Sequence, residues 1–136
     1  MATRSKSDLH TTLAQRYDLA CGRYKYKYPN DPQPFITCAY RTKEEQDALF
    51  EQGVKDPKKK VTNARGGESP HNYLPSFAFD IAFINPLTQK LDWNKKYFLQ
   101  FAECVKEFGE SVEWGGDWKF TDLPHFQLRD WKNLKN

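Results

Sequence analysis

The sequence is poor in the residues that would staple a chain or anchor it in a membrane. Cysteine occurs three times in 136 residues, at the widely spaced positions Cys21, Cys38 and Cys104. No C-x-x-C pair exists, which speaks against a thiolate zinc site and leaves reduced, buried thiols as the expectation. No stretch approaches the ~20 apolar residues of a membrane span, so no stable membrane insertion is expected. The opening MATRSKSDLHTT lacks the apolar core of a secretory signal. Synthesis in a cytoplasm, without an export route of its own, is the expectation. Charge of one sign is also scarce: 21 basic against 18 acidic residues leave +3. So mild a bias could keep the protein near teichoic acid, lipopolysaccharide or nucleic acid, and identifies none of them. Internal repeats and low-complexity linkers are missing too. The length suits a single domain over residues 1–136, with room for a core and a cleft and too little for a separate anchoring module.

What is present points to a folded soluble domain rather than a disordered chain, with 15% aromatic and 29% charged residues. Helical spacing of Leu9, Leu13, Tyr17 and Ala20 predicts a helix over 8–21, capped by Ser7 and stopped by Gly22. Residues 35–40, FITCAY, read as a strand. The capping box Thr42-x-x-Glu45 opens a second helix that should end near Gly53. Residues 54–70 carry Lys, Gly and Pro without periodicity and predict a long surface loop. The clearest strand is 77–84, FAFDIAFI, which places Ala78, Asp80, Ala82 and Ile84 on one face and Phe77, Phe79, Ile81 and Phe83 on the other. After Asn85-Pro86 the chain should turn back through 87–91. A core-facing helix over 94–108 follows from Phe98, Phe101, Val105 and Phe108, with Gly109 as its stop. VEW, the turn Gly115-Gly116 and a strand around HFQL complete the chain. The last strands are joined too tightly for βαβ crossovers. The expected class is therefore α+β, a small and mainly antiparallel sheet with flanking helices.

Only three histidines occur, and His71 and His125 keep unusual company. Asp80 stands mid-strand among apolar neighbours, where an unpaired carboxylate is costly to bury. The small Ala78 and Ala82 leave room beside it. A carboxylate so placed needs a cation, a metal or several hydrogen-bond donors. With His71 and His125 it makes a sound ligand set for catalytic zinc, leaving about one net positive charge and an open position for water. The plainer alternative pairs Asp80 with Arg41 or Lys90 and leaves both histidines merely hydrogen-bonded. His10 lies far from these residues in sequence and reads as an ordinary boundary histidine. Trp93, Trp114, Trp118 and Trp131 read as core or cleft wall rather than a carbohydrate platform. The run Lys58-Lys59-Lys60 reads as a solvated loop tip.

Two segments, SPHNYLPSFAFDIAF and WGGDWKFTDLPHF, resemble the zinc peptidases related to D-Ala-D-Ala carboxypeptidases. They are especially similar to the L-alanyl-D-glutamate endopeptidases used as phage endolysins, whose fold hedgehog domains share. The first family motif runs roughly S-x-H-x-x-G-x-A-x-D, matched by Ser69, His71, Ala78 and Asp80. In the second an acidic residue stands three before the last histidine, as Asp122 does before His125. Tyr40-Arg41-Thr42 matches a third, upstream block. One departure is that Leu74-Pro75-Ser76 stands where a single glycine is usual; the extra residues are expected to bulge outward and leave His71 and Asp80 as ligands.

The resemblance implies zinc as cofactor, His71, Asp80 and His125 as its ligands, and the peptide of bacterial peptidoglycan as substrate. It implies Asp122 as general base, with Leu123-Pro124 bent so that Asp122 and His125 both face inward. Glu113 and Asp117 are rival bases. Arg41 would stabilise an oxyanion or grip a substrate carboxylate. Ser69 and Gln46 are candidates for lining the cleft, with plain capping or solvation as the alternative for each. A monomer that acts on the cell wall once the membrane has been permeabilised is the expected form. Three other readings stay open at this point. One is a D,D-carboxypeptidase or D,D-dipeptidase, which acts on a free C-terminal carboxylate. Another is a non-catalytic zinc-site binding domain, against which Asp122 argues. The third is a nucleic-acid binder, which leaves Asp80 unexplained; no nucleic-acid partner is expected.

Overall fold

A computed structural model describes residues 2–135. Its first helix, α1, spans Thr11–Lys27 and starts where the His10 ring accepts from the Thr12 N–H. The expectation of a helix over 8–21 needs correction at both ends. Ser7 lies in a separate 3-10 turn, and Leu9 is extended in an isolated bridge to Ser76. At the other end α1 runs through Gly22, because Tyr24 continues the buried stripe of Leu13 and Ala20. The Tyr24 hydroxyl then finds an acceptor in the Pro32 carbonyl at 2.8 Å, so its burial leaves no polar atom unpaired.

Strand β1 (Gln33–Cys38) leads to helix α2 (Lys43–Lys55), which opens on the expected capping box. Thr42 Oγ1 accepts from the Glu45 N–H at 3.0 Å, and the Glu45 carboxylate accepts from the Thr42 N–H at 2.9 Å. Then come β2 (Ala78–Ile84), helix α3 (Lys95–Lys106), β3 (Val112–Trp114), β4 (His125–Leu128) and a short C-terminal helix α4 (Trp131–Leu134). The four strands form one sheet in the order β1-β2-β4-β3, every neighbouring pair antiparallel. After β2 the chain turns back as expected, with the Asn85 N–H donating to the Lys90 carbonyl at 2.8 Å, the Asp92 N–H to the Phe83 carbonyl at 2.9 Å, and Ile84 bridging Leu91.

One face of β2 is the apolar one. Phe79 and Phe83 meet Tyr17 and Tyr24 of α1, Phe98 of α3 and Phe126 of β4 at ring separations of 4.9–5.7 Å. Arg16 ties the helices together beneath this layer. Its guanidinium donates to the carbonyls of Val105, Phe108 and Gly109, capping the open end of α3. Phe108 itself lies past the helix and is 39% exposed, so the core stripe of α3 ends at Val105.

The opposite face of β2 carries Asp80, and the strand register decides what stands beside it. Asp80 is paired with Cys38 of β1 on one side and with His125 of β4 on the other. A register shift in β1 between Ile36 and Cys38 creates the first pairing. Three strands thus bring a thiol, a carboxylate and an imidazole into one row. Trp114 and Trp131 are buried, and Trp93 is 55% exposed.

Candidate metal centre and cleft

His71 approaches the row from a 3-10 turn, Pro70–Asn72, just before β2. The turn is tightly specified: Ser69 Oγ accepts from the His71 N–H at 3.2 Å, and Asn72 Oδ1 accepts from the Ser69 N–H at 3.2 Å. His71 Nε2 lies 3.3 Å from Asp80 Oδ1, and His125 Nδ1 lies 2.9 Å from the same oxygen. The two histidine rings are 5.2 Å apart and nearly perpendicular. Asp80 therefore pairs with neither Arg41 nor Lys90, and its side chain keeps 24% exposure.

The outer nitrogens decide where the ring hydrogens sit. His71 Nδ1 is 2.9 Å from the Ala39 carbonyl oxygen, which can only accept. His125 Nε2 is 2.7 Å from Gln127 Oε1, whose amide nitrogen is committed to Glu113. In the neutral rings both hydrogens thus point outward, and two lone pairs face one carboxylate oxygen. Three acceptors cannot share that space without a cation between them. A divalent metal with nitrogen and oxygen ligands fits this donor set. Without a metal, a proton fills part of the role. Burial alone would lower the affinity of His71 for it, but the Asp80 carboxylate reverses this and pushes its pKa up to about 10. Burial likewise acts to raise Asp80, and the two histidines override it, holding the carboxyl well below its ordinary range.

Cys38 was not anticipated at this site. Its buried sulfur lies 3.6 Å from His71 Nδ1, and its ligand atom groups with those of His71 and Asp80 within 4.8 Å. It is a free thiol, as are Cys21 and Cys104. Only the strand register reveals its place.

A cleft of about 670 Å³ opens along this face, and Ser69, Asp122 and His125 line it. Trp118 forms part of its wall, 5.4 Å from the His125 ring, and so does Phe120, which is 83% exposed. Asp122 reaches the cleft by the expected bend: the His125 N–H donates to the Asp122 carbonyl at 3.2 Å, closing a turn ahead of β4. Burial raises the Asp122 pKa against the pull of His125. Gly115 is needed here, since any Cβ would collide with the Asp122 backbone. Neither rival base lines this cleft. Asp117 is half-exposed and pairs with Lys106 at 2.8 Å, and Glu113 is held between Gln127 and Arg129.

Arg41 is not among the residues that line this cleft. It donates to Cys38 Sγ at 3.4 Å and to Gln46 Oε1 at 3.1 Å, and it borders a second hollow of about 370 Å³. Gln46 does not line the main cleft; it is fully buried. Its amide makes four hydrogen bonds, to Arg41, Asn72, Thr62 and Ala64, and so ties the turn carrying His71 to one wall of the cleft. The Leu74-Pro75-Ser76 segment bulges only in part. Leu74 is 63% exposed, whereas Ser76 is fully buried and its hydroxyl donates to the Ala39 carbonyl at 2.7 Å.

Residues 62–128 match a family model described as D-alanyl-D-alanine carboxypeptidase. Over 132 residues the chain is 37% identical to the peptidoglycan L-alanyl-D-glutamate endopeptidase CwlK of Bacillus subtilis (strain 168), covering 90% of this chain and 74% of that protein. The chain belongs to this peptidase family. Its fold agrees with that of the L-Ala D-Glu endopeptidase ChiX of Serratia marcescens, with a TM-score of 0.68 and 25% identity over 99% of this chain and 93% of that one. The vancomycin-resistance D,D-pentapeptidase VanY, solved with Zn(II), shares the fold at a TM-score of 0.62 and 14% identity, over 91% and 74% of the two chains. VanYB with D-alanine-D-alanine does so at 0.63 and 13%, over 98% and 79%. As in these peptidases, helices flank one small antiparallel sheet.

Proposed function

We propose that this peptidase is a zinc-dependent endopeptidase that hydrolyses the L-alanyl-D-glutamate bond in the peptide of bacterial peptidoglycan. The observation that carries the reading is the convergence of His71 Nε2 and His125 Nδ1 on one oxygen of Asp80, beside a cleft that Asp122 lines. These three residues would hold the zinc. A bound zinc ion would polarise the scissile carbonyl and lower the pKa of the attacking water toward ~7. Asp122 takes a proton from that water and delivers it to the amine nitrogen of the leaving D-glutamyl residue as the C–N bond breaks. Its raised pKa suits both halves of the transfer. Arg41, whose charge acts to lower the Asp122 pKa, is assigned the balancing of the negative charge that develops at the carbonyl oxygen. Trp118 and Phe120 give the peptide an apolar wall.

Digestion of purified peptidoglycan, with and without a chelator, tests the reading by mass spectrometry. New N-terminal D-glutamate that disappears with the chelator is expected. Release of D-alanine alone would move the assignment to a carboxypeptidase, and full activity without metal would overturn it. We further propose an endolysin role for the protein as a monomer, reaching the wall from the host cytoplasm after the membrane opens. The motif resemblance to phage endopeptidases supports this, and no helix among the described residues is long and apolar enough to cross a membrane. Cells expressing the protein should lyse only when a pore-former is added. Lysis without one would refute the role.

A further inference from the structure

We infer that Gln127, held in place by Glu113 and Arg129, is a positioning residue that fixes which nitrogen of His125 carries its hydrogen, and thereby sets how tightly the site holds its metal. The inference rests on the reading of His71, Asp80 and His125 as a metal centre.

Gln127 and His125 stand two apart in β4 and so share a face of the strand. Glu113 lies directly opposite Gln127 in β3. The links run in one direction. Arg129 Nη1 meets Glu113 Oε2 at 3.2 Å, and its Nε donates to the Glu110 carbonyl at 2.9 Å. The Glu113 carboxylate can only accept, so the Gln127 amide turns its NH₂ toward it, at 2.7 Å. That leaves Gln127 Oε1, another pure acceptor, 2.7 Å from His125 Nε2. The ring must answer with N–H at Nε2, which frees Nδ1 to face Asp80. Were the amide reversed, the ring would keep its hydrogen on Nδ1 and lose its ligand lone pair. Gln127 lies on the wall of the cleft, but both ends of its amide are already engaged within the protein.

This relay also explains an acidic residue that the catalytic steps leave unused. Glu113 is 21% exposed at its side chain and acts at a remove, through an amide that would otherwise be free to flip. Outer partners of metal-binding histidines typically change metal affinity by about 10–100-fold when removed.

The test measures zinc affinity by chelator competition in the absence of substrate, together with the ¹⁵N shifts of the His125 ring and the melting temperature. Gln127→Met keeps the bulk and removes the acceptor. It should weaken zinc binding by about 10–100-fold while the fold survives. Gln127→Glu alone sets two carboxylates against each other and should also weaken binding. Adding Glu113→Gln to it restores an acceptor beside His125 and a donor behind that acceptor, and should recover most of the affinity and the protonated Nε2 signal. A packing role alone would not give that recovery. Wild-type affinity in Gln127→Met, or no recovery in the double variant, overturns the inference while leaving the metal centre standing. Failure of the wild-type protein to bind zinc overturns both.

Discussion

The two histidines of the site are held by different means. The His71 ring is fixed by backbone, since the Ala39 carbonyl accepts from it, while the Ser69 hydroxyl caps its turn and the Arg41 N–H donates to its carbonyl at 2.9 Å. His125 is fixed by side chains, in the sequence Gln127, Glu113 and Arg129. A backbone carbonyl survives any side-chain substitution, so the His71 half should respond to mutation through folding stability. An amide relay can be rewired one residue at a time, so the His125 half should respond through metal affinity. Asp80 is the one residue both halves share, and Asp122 belongs to neither.

The sharpest way to break the comparison is to remove what the halves have in common. In Asp80→Ala two imidazoles lose the oxygen on which they converge, and two neutral nitrogen ligands hold zinc poorly. Zinc content should fall from one per chain to nearly none, with activity lost. Retention of stoichiometric zinc would transfer the third ligand elsewhere, with Cys38 first in line. Next in size is Asp122→Asn, which keeps the shape but accepts no proton at neutral pH. Turnover should drop by about 10²–10⁴-fold with zinc content unchanged. A loss of zinc in this variant would make Asp122 a ligand.

Gln46→Leu then separates the halves. It removes four hydrogen bonds around the His71 turn, and leaving the buried Asn72 amide without its Gln46 acceptor alone costs about 1–3 kcal/mol. Its melting temperature should fall clearly while zinc affinity in the folded protein stays near wild type. Gln127→Met should show the reverse pattern, as the relay requires. If both variants lose only stability, the distinction between the halves is wrong.

Much of this arrangement was legible in the sequence where local rules dominate. An aspartate amid Phe, Ile and Ala marks its own strand, and a Thr-x-x-Glu pair marks a helix start, because both signals lie within a few residues. The α3 stripe was legible for the same reason, up to Phe108, where the helix had already ended. Residues that failed to show themselves depend on long-range pairing. Cys38 joins the site only through a register shift between β1 and β2. Gln46 looks like a polar helix residue near a cleft, yet it is fully buried and bonded to Thr62 and Ala64, sixteen and eighteen residues on. Ser76 reads as part of a loose turn, yet it bonds to Ala39, far away in the chain. Gly22 looked like a helix stop because glycine is costly inside a helix, and the buried Tyr24 outweighed that local cost.

The smallest expected effect compares the protein with and without its metal across pH. In the metal-free protein His71 carries a proton well above its ordinary value of 6.5: burial works against the charge, the Asp80 carboxylate outweighs burial, and the pKa stands at about 10. Because the folded value exceeds the unfolded one, the ion pair contributes its full stability below about 6.5 and loses it as pH rises toward about 10. The melting temperature of the metal-free protein should therefore decline over that window. Zinc needs the Nε2 lone pair and must displace this proton, so its uptake at neutral pH should release one proton from His71. The zinc-loaded protein should show no matching decline in melting temperature, since the metal has taken the proton's place between His71 and Asp80. Calorimetric titration in buffers of different ionisation heat counts the released proton directly. No proton release at neutral pH would mean that His71 is already neutral without metal, and that Asp80 is satisfied from the His125 side alone.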